Sequence, residues 1–148
     1  MDELMAVGTS VQYIVVKLGD ERYGIDISYV DNILRMTRMT RVPKVAPYIK
    51  GVINLRGEVV PVMSASIKMG LEPAEETHST RIIILKFEQQ GCIGIIVDEV
   101  NEVVTLDTDT IDKVPYEVKD ENFIQGVGKA GDGLISILDL NALINEQV

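Results

Sequence analysis

The chain has 148 residues, 46% of them hydrophobic, and 23 acidic against 14 basic side chains give a formal net charge of −9. That excess of acid argues against nucleic-acid binding, which needs stripes of Lys and Arg to neutralise phosphates, and against a Lys/Arg-driven hold on anionic membranes. A single cysteine rules out an intramolecular disulfide and an all-cysteine metal site, and no apolar run approaches the ~20 residues of a membrane span.

The start, Met1-Asp2-Glu3-Leu4-Met5, has no signal-peptide pattern, so the expectation is a soluble cytoplasmic protein. Tryptophan is absent and aromatics are few, so the core must be aliphatic. Its β-branched residues favour strands. Residues 1–10 read as a lead-in. Val11 to Leu18 and Arg22 to Ile27 are predicted strands joined by turn chemistry at Gly19-Asp20-Glu21. Ser28 is placed to cap one helical turn that sets Val30 and Ile33 on one side. Ile33 to Val42 carries Arg35, Arg38 and Arg41; in a strand that spacing alternates faces and gives no basic stripe. Pro43 and Pro47 interrupt the chain, with a short helical turn expected at Pro47-Tyr48-Ile49.

Gly51 to Leu55 and Glu58 to Met63 read as a hairpin across Arg56-Gly57, with Gly57 supplying a positive φ. Pro61 cannot donate to a ladder, so it belongs on an edge or at a bulge. A short helix is expected over Ser64 to Met69, then a linker over Gly70 to Thr80. Ile82 to Phe87 and Cys92 to Val97 are the next pair of strands. Leu106 to Lys113 has a brief helical pattern with Asp107 as cap, and Val114-Pro115 is a break. Phe123 to Lys129 and Leu134 to Leu138 repeat the hairpin across Gly131-Asp132-Gly133. Asp139 then caps a C-terminal helix through Leu140, Leu143 and Ile144.

The two halves repeat. Gly24-Ile25-Asp26-Ile27 with Val30 and Ile33 matches Gly94-Ile95-Ile96-Val97 with Val100 and Val103, 70 residues on. Gly51-Val52, Val59-Val60 and Val62-Met63 match Gly126-Val127, Leu134-Ile135 and Ile137-Leu138, 75 residues on. Short strands with closely spaced turns predict an all-β pair of small barrels, one over 11–72 and one over 78–148, with the first strand free to join the other barrel. Each is marginal alone, so the two must share apolar surface. Shared residues are expected to serve the fold, and unshared ones function.

Catalysis finds little footing. Nothing places a base beside Cys92, which reads as a small core residue, and His78 reads as a solvated loop residue. Asp107, Asp109 and Asp112 lack the central Gly and terminal Glu of a calcium loop. Met36, Met39, Met63 and Met69 read as core fillers, with an adaptable docking groove as the alternative. No cofactor or metal site is expected. The unshared segment is Asn54-Leu55-Arg56-Gly57, set against Lys129-Ala130-Gly131-Asp132. An Arg at a rigid tip beside a Leu suits a protein-binding hot spot; an ordinary solvated turn is the alternative.

Tyr23 to Ile27 with Val30, and above all Ile49-Lys50-Gly51-Val52-Ile53-Asn54-Leu55-Arg56-Gly57-Glu58-Val59-Val60-Pro61-Val62, resemble the CheW family of chemotaxis adaptors. Gly94 to Val100 and Gly133 to Asp139 extend the resemblance over nearly the whole chain. It implies two packed five-stranded SH3-like β-barrels with short helices and a C-terminal helix, and no enzyme activity or cofactor. The implied partners are the regulatory domain of the histidine kinase CheA and the cytoplasmic tip of methyl-accepting chemotaxis receptors. No nucleic acid and no direct membrane insertion are implied; the place would be the cytoplasm, at receptor arrays. The implied partner-binding residues are Val30, Asn32, Ile33, Gly51, Asn54, Leu55, Arg56 and Gly57. The family often carries an acid at the position of Asn32 to pair with the Arg; here only Asp31, next door, could do so. Ser64-Ala65-Ser66 stands where the family tends to have Asp-Leu-Arg. A small-molecule-binding domain using the cleft between the barrels is the competing class.

Overall fold

The computed structural model describes residues 10–113, 123–131 and 133–145. The lead-in before Ser10, the Val114-Pro115 break and the side chain of Asp132 lie outside them. The elements in chain order are β1 (Ser10–Leu18), β2 (Glu21–Asp26), β3 (Val30–Arg35), β4 (Ile49–Leu55), β5 (Glu58–Ser64), α1 (Ala65–Lys68), β6 (Arg81–Phe87), β7 (Gly91–Val97), β8 (Glu99–Asp107), β9 (Asp112–Lys113), β10 (Ile124–Ala130), β11 (Gly133–Leu138) and α2 (Leu140–Ile144).

The strands form two sheets, in the orders β3-β6-β7-β5-β4 and β8-β1-β2-β11-β10-β9. The second sheet therefore has six strands, the extra one being the two-residue β9. The sheets do not follow the halves of the chain. The β1–β2 hairpin of the 11–72 segment lies between β8 and β11, and the β6–β7 hairpin of the 78–148 segment lies between β3 and β5. The chain halves exchange whole hairpins, not only the first strand.

The repeat is exact in register. Val62 pairs with Gly94 in one sheet and Ile137 with Gly24 in the other, both parallel. The shared glycines have a packing reason: a Cβ at Gly94 would lie 2.9 Å from Ile82 Cγ2, and one at Gly24 would lie 3.0 Å from Ile137 Cδ1. Neither gap admits a side chain without displacement.

Why β1 and β6 read as unbroken aliphatic runs follows from the burial. Tyr13 and Val15 pack inside the six-stranded sheet, while Ile14, Val16 and Leu18 face the other sheet. Ile82 and Ile84 pack inside the five-stranded sheet, while Ile83, Leu85 and Phe87 join the shared core. A strand covered on both faces has no polar side to show. The shared core is the largest of the three clusters and takes in Val97, Leu138 and Leu143.

Local expectations fare unevenly. Asp139 caps α2, accepting from Ala142 N at 3.1 Å, and Ser64 caps α1, accepting from Ile67 N at 3.2 Å. Asp107 caps a single 3₁₀ turn over Thr108–Thr110. The turn after β2 is capped by Asp26, whose carboxylate accepts from Ser28 N at 2.9 Å; Ser28 is inside it. Val30 and Ile33 are consequently in strand β3 and not on one helical turn. Pro61 is on an interior strand; the bulge in its ladder with β4 falls one step on, opposite Val62 and Met63, and the ladder to β7 begins only at Val62. Strand β3 stops at Arg35, so the alternation expected of Arg35, Arg38 and Arg41 does not operate; all three are exposed. Pro47-Tyr48 makes a bare turn. Cys92 is half-buried against the five-stranded sheet's core, beside partly buried Met36 and Met39.

Candidate functional site

Two residues link β4 to β5: Arg56 at φ 52° and Gly57 at φ 84°. Positive φ at both central positions is the geometry of the two-residue hairpin turn whose twist matches that of the strands. Glycine meets this freely, whereas Arg56 adopts it against its intrinsic preference. Asn54 offsets that cost, its side-chain oxygen accepting from Gly57 N at 3.1 Å. Asn54 and Gly57 thus shape the tip, and Arg56 is what the tip presents.

Strand β3 supplies the partner. In its ladder with β6, Val30 pairs with Leu85 and Asn32 with Ile84, leaving Asp31 as the extra residue of a bulge. A bulge re-aims the side chain it carries. Asp31 Oδ2 accepts from Arg56 Nη2 at 2.8 Å, so the acid is Asp31 and the ion pair forms. Asn32 is not involved; its side-chain oxygen accepts from the next backbone amide, Ile33 N, at 2.9 Å. The Arg56 side chain remains 64% exposed, and that of Asp31 23%. One end of the guanidinium is oriented by the carboxylate and the rest faces solvent.

A second tie holds the hairpin to the chain after β3. Thr40 N donates to Val52 O at 2.9 Å and Val52 N to Thr40 O at 2.8 Å. This bridge lies over Gly51, where a Cβ would sit 2.7 Å from Thr40 O. Gly51 is therefore buried and offers no surface to a partner; its role is the close approach of two backbones. Of the other expected site residues, Ile33 is exposed, Val30 packs partly against the shared core, and Leu55 packs partly against the five-stranded sheet's core.

The sequence reading passed over Val59, 69% exposed, two residues beyond Gly57. Its signal was available, since period-two alternation with buried Val60 and Val62 puts Val59 outside. Its repeat counterpart Leu134 is also exposed, and so is Val103, the counterpart of Ile33. Each sheet thus carries two exposed aliphatic residues at equivalent places. The Asp31–Arg56 pair is not repeated, because Asn101 and Gly131 occupy the matching positions.

Other chemistry is sparse. Among the described residues no group of three or more His, Cys, Asp and Glu could hold a metal. No helix among them is long and apolar enough to cross a membrane. The shared core packs between the sheets, and beside it an open depression of about 300 Å³ is lined by Tyr48, Ile49, Met63, Ile93 and Ile144.

Fold and site together define a binding module: two interlocked β-sheets presenting a braced arginine at a hairpin tip. Residues 12–148 match the model of the CheW-like domain. The chain is 36% identical to the chemotaxis protein CheW of Bacillus subtilis over 143 residues, covering 95% of this chain and 91% of that protein. It is 33% identical to CheW of Helicobacter pylori over 137 residues, covering 92% and 82%. The crystal structure of the scaffolding protein TtCheW from Thermoanaerobacter tengcongensis superposes with a TM-score of 0.84 at 32% identity, covering 92% of this chain and 93% of that one. The chain belongs to the CheW family, and is a non-enzymatic adaptor of chemotaxis signalling.

Proposed function

We propose that this chain couples methyl-accepting chemotaxis receptors to the histidine kinase CheA, in the cytoplasm, by holding the receptor tip and the kinase's regulatory domain at once. The observation that carries the reading is the outward-facing Arg56, oriented by Asp31 and braced by the Asn54–Gly57 turn. A guanidinium fixed before binding loses less freedom when a partner engages it. Ile33, in the same strand as Asp31, and Val59, in the strand that follows Arg56, supply exposed aliphatic surface, as an apolar hot spot requires. Val30, Asn32, Asn54, Leu55 and Gly57 belong to this surface or shape it, with Gly51 supporting from beneath. A second face on the other sheet, marked by Val103 and Leu134, suits a scaffold that must engage two proteins.

Calorimetry against a receptor signalling fragment and the kinase regulatory domain, each separately, tests the reading. Arg56→Ala is expected to weaken one of the two by roughly 2 kcal/mol or more, as a hot spot does. Lys129→Ala, beside the turn lacking the ion pair, is expected to leave both unchanged. Failure of the unmodified chain to bind either partner would refute the coupling role; equal small losses from both variants would refute only the assignment of Arg56.

A further inference from the structure

Charge is distributed unevenly along this chain. Between Asp31 and Glu58 stand six cations, Arg35, Arg38, Arg41, Lys44, Lys50 and Arg56, and no acid. All 23 acidic residues lie outside that stretch, with only eight cations among them. Within it runs a short repeat, Arg35-Met36-Thr37-Arg38-Met39-Thr40-Arg41. The structure gives the repeat a physical meaning. Met36 and Met39 pack against the core of the five-stranded sheet, whereas Arg35, Arg38 and Arg41 are exposed. Two partly buried methionines anchor a strap that runs on beyond β3 and leave its arginines facing water. Among the described residues, Arg56 is ion-paired, but Arg35, Arg38, Arg41, Lys44 and Lys50 have neither an ion pair nor a side-chain hydrogen bond.

Beside this strap lies an open depression of about 700 Å³, between Leu34–Arg38 and the edge of β4. Leu34, Met36, Val52 and Leu55 give it apolar surface, and Arg35 and Arg38 line it with charge. On the far side of the Thr40–Val52 bridge, a second depression of about 610 Å³ is lined by Arg41, Lys44 and the exposed Val42 and Val45.

We propose that the Arg35–Lys44 strap and the adjoining depression dock a short acidic amphipathic segment of a partner protein, its apolar side chains on Leu34 and Leu55 and its carboxylates on Arg35, Arg38 and Arg41. Charge complementarity selects the occupant. The unpaired guanidiniums favour carboxylates, with which they make bidentate contacts. A long polyanion or a membrane would reach past the strap and meet the acid-rich remainder, repelled beyond a Debye length of about 8 Å. A short segment meets only the strap. The surface leaves out the Asp31–Arg56 pair but adjoins the coupling surface at Asn54 and Leu55, and Arg56→Ala tests the two apart.

The test uses the full chain and a labelled synthetic helix-forming peptide with Leu on one face and Glu on the other. Its probes also include the same peptide with Gln for Glu, and phosphatidylserine-containing vesicles. The Glu peptide is expected to bind at low salt and to shift the backbone amides of residues 34–44 and 52–55. Exposed Arg38 and Arg41 can be reversed together, R38E/R41E, without disturbing the methionines; this variant is expected to keep its melting temperature and to lose about tenfold or more in affinity. The Gln peptide is expected to bind about tenfold more weakly or worse. Arg56→Ala is expected to keep peptide binding, separating this surface from the coupling site. Equal binding of the two peptides, an unaffected R38E/R41E variant, or amide shifts elsewhere would overturn the proposal. Vesicle binding that R38E/R41E abolishes would overturn it too, by giving the strap to anionic lipid.

Discussion

At the scale of single residues, the Asp31–Arg56 pair is expected to matter little for stability and, on the proposed function, more for binding. Both side chains reach solvent, and an exposed ion pair contributes only about 0–1 kcal/mol to folding. On the proposed function its value is orientation, since it fixes one end of the guanidinium and leaves the rest facing solvent. A double-mutant cycle over Asp31→Ala and Arg56→Ala should therefore show little coupling in thermal stability and a coupling of about 0.5–3 kcal/mol in partner affinity. Arg56→Lys should restore part of that affinity, because an ammonium keeps the charge but cannot make the planar two-pronged contact. Additive losses in affinity would mean that Asp31 does not position Arg56. That the Arg56 turn differs from its counterpart was legible by comparing the two halves of the sequence. The partner of Arg56 was not, because the bulge that turns Asp31 toward the hairpin depends on the ladder with β6, a strand some 50 residues away in the chain.

Single elements explain which readings of the sequence transferred to the structure. Hairpins such as β4–β5 and β10–β11 depend on local turn chemistry and alternation, and the sequence encodes both. The caps at Ser64 and Asp139 are equally local. The Arg35–Arg41 spacing would alternate faces in a strand, but β3 ends at Arg35, and beyond it Met36 and Met39 pack against the core while the arginines are exposed. Strand β6 shows what the interior elements must do. Ile82 and Ile83 are both fully buried, yet one faces the interior of its own sheet and the other faces the opposite sheet. Ile82→Ala and Ile83→Ala should each cost about 2–5 kcal/mol. If the sheets fold as one unit, each variant lowers a single transition when unfolding is followed both by far-ultraviolet circular dichroism and by amide exchange. A variant that melts one sheet while the other stays protected would contradict this.

Across the whole molecule, the exchange of hairpins decides how the chain holds together. The repeat shows two equivalent units, and the equivalence is real: the parallel pairs Val62–Gly94 and Ile137–Gly24 match across the sheets. Composition and repeat together indicated two small β units sharing an aliphatic face. They could not indicate that β1–β2 and β6–β7 change places, because a strand buried on both faces fits either sheet equally well. The consequence is testable by cutting the chain at the Gly70–Thr80 linker. The first segment would hold β1–β2 without β8 or β11, and β4–β5 without β7; the second would hold β6–β7 without β3 or β5. Each would keep isolated hairpins with exposed apolar faces, and a lone two-stranded hairpin is marginally stable at best. Residues 1–74 and 75–148 expressed separately should therefore lack dispersed amide spectra. Mixed in equal amounts, they should recover the native spectrum, since the strands each lacks are carried by the other. Two fragments that fold alone into protected barrels would show that the hairpins can return to their own halves, and the exchange would then not be what holds this molecule together.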